Sequence, residues 1–397
     1  MTTRAAASSD SDATAPIVVV GAAAAGVAVC KSLRARGSRD QIILIGAEEC
    51  LPYDRPPLSK EVLSGVKSWD DLQLVPASFF DEQQVDLRLG HRATGVDTAA
   101  RTVHLADGSS VRYKDLVVAT GVRARTLSAA VGIDGVHTLR NYDDAVALSK
   151  DLAGATSLVV VGAGFIGLEV AASARRLGVE VTVVEPAGSP MPGRVPEYVS
   201  DRFQRLHEQH GVRFRFGRTV AEFRRDDARF TGAVLDDGSE IAGDVAVVAI
   251  GSTPNVEWLA DSGLDITNGV VCDERNRAAD NVFAIGDVAS VFDPELGGHL
   301  RIEHRLTANA HAETVAAALT GTEPPARATP YFWSDQFDAK LQVYGIWSKD
   351  AEFELLDSDP DGKWFTGRAG HGEQTSAVMG SSAGGRLVRL RRQYLST

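Results

Sequence analysis

Leu158-Val-Val-Val-Gly162-Ala-Gly-Phe-Ile-Gly167 decides the fold. The four apolar residues Leu158–Val161, mostly β-branched, predict a buried parallel strand. The three glycines that follow each meet a separate demand: Gly162 permits a tight turn, Gly164 lets backbone approach a pyrophosphate, and Gly167 lets a helix pack close to the strand. An alanine-rich helix is expected over Leu168–Leu177, its first amides free to receive an anion. A second strand, Glu180–Val184, then leads to Glu185, 18 residues past Gly167, near the roughly 20 at which a carboxylate meets ribose hydroxyls.

The same pattern stands nearer the N-terminus. Ile17–Val20 predicts a strand, Gly21-Ala-Ala-Ala-Ala-Gly26 a turn, Val27–Arg36 a helix and Gln41–Gly46 a second strand running to Glu48. Here the middle glycine is replaced by Ala23, whose methyl group takes space a pyrophosphate would use. Two such units in one chain predict an α/β protein with two Rossmann-like dinucleotide-binding domains, two nucleotide cofactors and a chemistry of electron transfer.

Outside the glycine turns, seven segments fall in a telling order: Arg55-Pro-Pro-Leu-Ser-Lys60, Ala119-Thr-Gly121, Gly162 through Glu169, Ala249-Ile-Gly-Ser-Thr-Pro-Asn255, Val282-Phe-Ala-Ile-Gly-Asp287, Glu303-His304 and Tyr331-Phe-Trp-Ser-Asp-Gln336. In this the chain resembles the FAD-dependent ferredoxin reductases of oxygenase systems, from about Pro16 to the C-terminal region. The resemblance implies an FAD domain split by an inserted NADH domain and completed by an α+β C-terminal domain. The expected boundaries are 16–124 and 248–326 for FAD, 125–247 for NADH and 327–397 for the C-terminal interface domain.

It also implies site residues. For FAD these are Gly21, Ala23 and Gly26 in the turn, Glu48 on the adenosine ribose with Glu49 beside it, Arg55 and Lys60 against the flavin, Thr120 and Gly121 in an approaching loop, and Asp287 on the ribityl chain. For NADH they are Gly162, Gly164, Gly167, Glu185, Arg194 and Gly251. Lys60 and Glu169 are the expected catalytic residues, with Glu169 facing the nicotinamide and pairing with Lys60 across the flavin. Glu185 favours NADH over NADPH, because a carboxylate accepts both ribose hydroxyls and repels a 2′-phosphate; the first cation downstream is Arg194. The family's Glu-His-Trp reads Glu303-His304-Arg305 here, which places a cation where an aromatic ring is expected.

Composition narrows the function classes. The 397 residues carry 41 Lys and Arg against 53 Asp and Glu, a net charge of −12, which argues against general nucleic-acid binding. No long apolar stretch predicts a membrane span, and residues 1–15 read as a disordered tail, so a cytoplasmic protein is expected. Cys30, Cys50 and Cys272 form no Cys-x-x-Cys pair, no metal site is expected, and electrons must leave from the flavin itself. The expected acceptor is a small [2Fe–2S] ferredoxin or a rubredoxin feeding a Rieske oxygenase or a cytochrome P450. Two alternatives stay open: an NADH oxidase or peroxidase cycling through Cys50, and an NADH-sensing interaction protein similar in fold to apoptosis-inducing factor.

Overall fold

The computed structural model describes residues 15–395; apart from residue 15, the expected N-terminal tail lies outside them. The chain divides into two compact units. One comprises residues 15–54, Gln73–Arg123 and Pro254–Ala328; the other comprises Arg55–Leu72, Ala124–Thr253 and residues 329–395.

The first unit is built on a six-stranded sheet. Strand Ile17–Val20 lies between Ile42–Ile45 and Asp115–Val118, all parallel, with Val85–Arg88 beyond the former and Val282–Ala284 beyond the latter; an antiparallel edge, Arg277–Ala279, completes it. Alternation along each strand feeds two cores. Ile17, Val19, Ile42, Leu44, Val117 and Phe283 pack on the face covered by helices Ala24–Ala35 and Arg305–Thr320. Val18, Val20, Ile43, Ile45, Leu116 and Val118 pack on the other, under the antiparallel strands Ala93–Asp97 and Thr102–Leu105. Both faces being covered explains why the strands read as unbroken apolar runs.

In the second unit, strand Ser157–Val161 lies between Glu180–Glu185 and Val245–Val248 in a five-stranded parallel sheet edged by Val212–Phe216 and Val136–His137. Helix Tyr142–Leu152 opens with a reciprocal cap, the Asn141 side chain accepting from the Asp144 amide and the Asp144 side chain from the Asn141 amide. The last part of the chain forms a five-stranded antiparallel sheet, ordered Tyr331–Gln336, Ala339–Gly345, Gln374–Ser381, Phe365–His371 and Glu352–Ser358, followed by helix Gly385–Tyr394.

Two helices start earlier than the sequence predicts. Helix Ala24–Ala35 begins three residues before Val27, and Phe165–Arg176 begins three before Leu168. Gly26 and Gly167 therefore belong to first helical turns. A Cβ on either would stand 2.1 or 2.2 Å from the carbonyl oxygen of Gly21 or Gly162, so the missing side chain sets how closely helix and strand approach.

Candidate functional site

Both glycine turns lie where the strand order reverses, beside the C-terminal end of a central strand. Gly21 adopts φ +122, its amide donates to the Ile45 carbonyl at 2.7 Å, and a Cβ there would stand 2.1 Å from the Ala119 carbonyl oxygen. Gly162 repeats this, with φ +103, an amide bond to the Val184 carbonyl at 2.8 Å, and a Cβ position 2.5 Å from the Ala249 carbonyl oxygen. Each turn thus abuts the segment that leaves the next strand, Ala119-Thr-Gly121 or Ala249-Ile-Gly251. Such reversal points are where open α/β sheets bind nucleotides.

The helix starts suit a pyrophosphate. Ala23 and Gly164 hold the N-cap positions, neither supplies a side-chain cap, and neither helix has an acidic residue in its first turn. The orphan amides and the positive end of each helix dipole are left for an outside anion. Gly164 is extended, with φ −74, and has nothing within 4 Å of its Cβ position. Ala23 is also extended, at φ −126, so its methyl strains no backbone. The residues present fit two dinucleotides.

The two carboxylates expected at the riboses are held differently. Glu48 accepts from the Tyr53 hydroxyl at 2.7 Å. Glu185 is 6% exposed, and its two oxygens accept the Ala163 amide at 2.8 Å and the Ala187 amide at 2.9 Å. A carboxylate has about four lone-pair sites, so two remain for ribose hydroxyls. Past Glu185 the chain folds back on the glycine turn, where the Met191 amide donates to the Ala163 carbonyl at 2.8 Å, and Arg194 is exposed beyond it. A cavity of about 500 Å³ beside this loop is lined in part by Ser189, Pro192, Asp201, Trp347 and Lys349.

Thr120 and Asn255 tie their loops together, the Thr120 hydroxyl donating to the Asn255 carbonyl at 2.8 Å and the Asn255 amide nitrogen to the Thr120 carbonyl at 2.9 Å. Gly121 (φ +61) and Gly251 (φ +104) need the left-handed region that glycine alone enters freely. Gly286, at φ +71, turns the chain into Asp287, and its amide donates to His311 Nδ1 at 3.3 Å. Arg55 donates to the Arg140 carbonyl at 2.6 Å. Arg305, where an aromatic ring was expected, donates to Asp54 and to Asn309, each at 2.9 Å.

Lys60 and Glu169 meet directly, Nζ to Oε1 at 3.3 Å, with Asp335 3.9 Å from the same ammonium. The sequence reading set them across the flavin from each other, whereas here they touch directly, and it gave no role to their neighbours. The Ser59 hydroxyl donates to Glu169 Oε2 at 2.5 Å and the Ser334 hydroxyl to Oε1 at 2.7 Å. Burial pushes the Glu169 carboxyl above the usual range, and Lys60, Ser59 and Ser334 pull it back. The packing of Phe332 on Phe165, ring centroids 5.1 Å apart, fixes the strand carrying Ser334 to the helix carrying Glu169. The one available signal was the Tyr331–Gln336 segment, which carries the family resemblance but whose spacing assigns no role to Ser334 or Gln336.

The cysteines offer no redox pair. None of the three is in a disulfide; Cys30 and Cys272 are buried, and burial pushes both thiols up to about 12. Among the described residues no group of His, Cys, Asp and Glu could hold a metal ion, and no helix is long and apolar enough to cross a membrane.

Two open dinucleotide cradles without a dithiol define a pyridine-nucleotide oxidoreductase of the two-cradle class. Residues 15–314 match the pyridine nucleotide-disulphide oxidoreductase family, and the chain belongs to it. The chain is 41% identical to rhodocoxin reductase of Rhodococcus erythropolis, over 83% of this chain and 78% of that one. It is 39% identical to the ferredoxin–NAD(+) reductase component of the anthranilate 1,2-dioxygenase system of Burkholderia cepacia, over 94% and 89%. Among solved structures it is similar to the reductase in the covalent putidaredoxin reductase–putidaredoxin complex, with TM-score 0.91, 31% identity and coverage of 95% and 92%.

Proposed function

We propose that the protein is an NADH-dependent, FAD-containing ferredoxin reductase that passes single electrons to a small [2Fe–2S] ferredoxin or a rubredoxin, which in turn serves a Rieske oxygenase or a cytochrome P450. The observation that carries this reading is the pair of uncapped helix starts beside Gly21 and Gly162, in a chain of this family that lacks a dithiol. The balance is one NADH and two oxidised ferredoxins giving NAD⁺, two reduced ferredoxins and one proton. Bound FAD supplies the conversion between a hydride and two separate electrons.

The residues divide the work. Gly21, Ala23 and Gly26 receive the FAD pyrophosphate on the Ala24–Ala35 helix start, Glu48 takes its ribose, and Thr120, Gly121, Asp287 and Arg55 position the rest. Gly162, Gly164 and Gly167 receive the NADH pyrophosphate, Glu185 takes the adenosine ribose with Arg194 beside it, and Gly251 lets backbone pass close to the nicotinamide end. Lys60 and Glu169 are the catalytic pair, a cation that stabilises negative charge as the flavin is reduced and a carboxylate that keeps that cation in place. The FAD domain spans 16–124 and 248–326, the NADH domain 125–247 and the C-terminal interface domain 327–397, and the compartment is the cytoplasm.

The test is NADH consumption by the FAD-loaded protein in air, with and without a small [2Fe–2S] ferredoxin. The reading expects stimulation of tenfold or more. Equal rates with every ferredoxin and rubredoxin tried would overturn it in favour of an oxidase, and loss of that turnover in Cys50→Ser would then assign it to the thiol.

A further inference from the structure

Glu169 is the end of a longer buried chain. Ser334 Oγ donates to Glu169 Oε1 at 2.7 Å, Gln336 Nε2 donates to Ser334 Oγ at 3.1 Å, and His207 Nε2 lies 2.9 Å from Gln336 Oε1. Ser334, Gln336 and His207 are each 0% exposed and Glu169 is 4% exposed. The direction of every bond follows from chemistry. A carboxamide oxygen only accepts, so His207 Nε2 carries the hydrogen, and every donor in the chain points toward the carboxylate. Aligned donors polarise one another and strengthen the last bond, here the one to Glu169.

We propose that Gln336 and His207 are positioning residues for Glu169, orienting a one-way chain of donors that ends on its carboxylate and holds it as the ionised partner of Lys60. This rests on the reading of Lys60 and Glu169 above. The groups facing Glu169 are Lys60 and Ser59 from the Pro56–Ser59 turn and its end, and Ser334 from strand Tyr331–Gln336; Asp335 faces the same ammonium and is itself paired with Lys340 at 3.0 Å. Facing His207 are His210, one turn along its helix, the rings of Phe214 and Phe337, and the Gln336 amide. His207 Nδ1 is buried without a hydrogen-bond partner. A second proton there would be an unpaired buried cation, so the ring stays neutral and the donor direction is locked.

The experiment uses the FAD-loaded full chain labelled with ¹⁵N-histidine and with ¹³C at the glutamate carboxyl, titrated by NMR. The wild type is expected to show His207 as the neutral Nε2–H tautomer down to near pH 4, the value to which burial lowers it. Gln336→Leu is expected to raise the Glu169 midpoint by about one pH unit, a tenfold change in its protonation equilibrium. His207→Leu should move it in the same direction, and His207→Gln, whose amide can still donate to Gln336, should restore it. The acid limb of the pH profile for flavin reduction by NADH should move with the midpoint. An unchanged Glu169 midpoint in both leucine variants, or equal midpoints for His207→Leu and His207→Gln, overturns the proposal; if Gln336→Leu does not fold, the two His207 variants decide. A Glu169→Gln protein that reduces flavin at the wild-type rate would sink the catalytic reading of Glu169 alone, since the NMR midpoints report on the chain without reference to turnover.

Discussion

Gly164 and Ala23 hold the same position in two copies of one turn, and both are extended. A methyl added at Gly164 meets nothing within 4 Å and requires no forbidden backbone. Gly164→Ala should therefore leave the melting temperature of the NADH-free protein unchanged, while a methyl pressed against the pyrophosphate raises the NADH dissociation constant about tenfold, near 1.4 kcal/mol. Unchanged NADH affinity would remove that residue from the binding turn. Glu185 supports a different expectation because the oxygens proposed to meet the ribose also accept two backbone amides. Glu185→Arg removes the acceptor of the Ala163 and Ala187 amides and adds a cation for a 2′-phosphate. The ratio of kcat/KM for NADPH to that for NADH should rise by at least about tenfold, one bidentate polar contact being worth roughly 1–3 kcal/mol. Equal ratios before and after the change would take Glu185 out of cofactor selection.

At the scale of elements, the paired strands and helices answer to one spacing. Gly167→Ala would place Cβ 2.2 Å from the Gly162 carbonyl oxygen and 3.2 Å from Val160 Cγ1, neither of which can retreat without moving a strand or helix. The expected loss is about 2 kcal/mol or more, typical of overpacking, and appears as a lower urea midpoint together with weaker NADH binding; wild-type stability would show that the helix can slide at no cost. The strands were legible in the sequence because burial on two faces leaves only apolar residues, as in Ile17–Val20 and Leu158–Val161. The helix starts were not, since Gly26 and Gly167 look like turn residues until the strand behind them is in place. Lys60 and Glu169 were legible through the segments that resemble a known family. Their hydroxyl and amide partners were not: Ser334 lies 165 residues from Glu169 and Gln336 lies 129 from His207, and neither periodicity nor spacing reports a contact that the tertiary fold alone creates. Arg305 shows the opposite case, a visible departure whose meaning depended on Asp54, a partner 251 residues away.

Over the whole molecule, acid acts on both units through histidines that the fold keeps from protonating. His207 in the second unit and His311 in the first are both lowered to about 4 by burial, against an unfolded value of 6.5. Between these values the unfolded chain binds a proton that the folded chain refuses, so stability falls as pH drops from 6.5 toward 4 and is fully present above that window. For the fully buried His207 the loss approaches about 3 kcal/mol across the window. Carboxylates that are lowered in the fold, such as Asp244 with its bonds to Thr156 and Ser157, add their own loss only below the ordinary carboxylate range. Protonation of an acidic chain of net charge −12 relieves repulsion and works against both losses. The lowered carboxylates titrate below the histidine window, so those two losses can be separated; Glu169, raised by burial, takes up its proton more readily in the folded chain and offsets part of the histidine loss. Urea midpoints measured from pH 7.5 to 4.5 should decline most steeply between about 6 and 4.5, around the midpoint of the two values. His207→Gln, which keeps the donor to Gln336 but binds no proton, should flatten that decline for the second unit, whereas a decline as steep as the wild type's would mean that His207 titrates alike in the folded and unfolded chains.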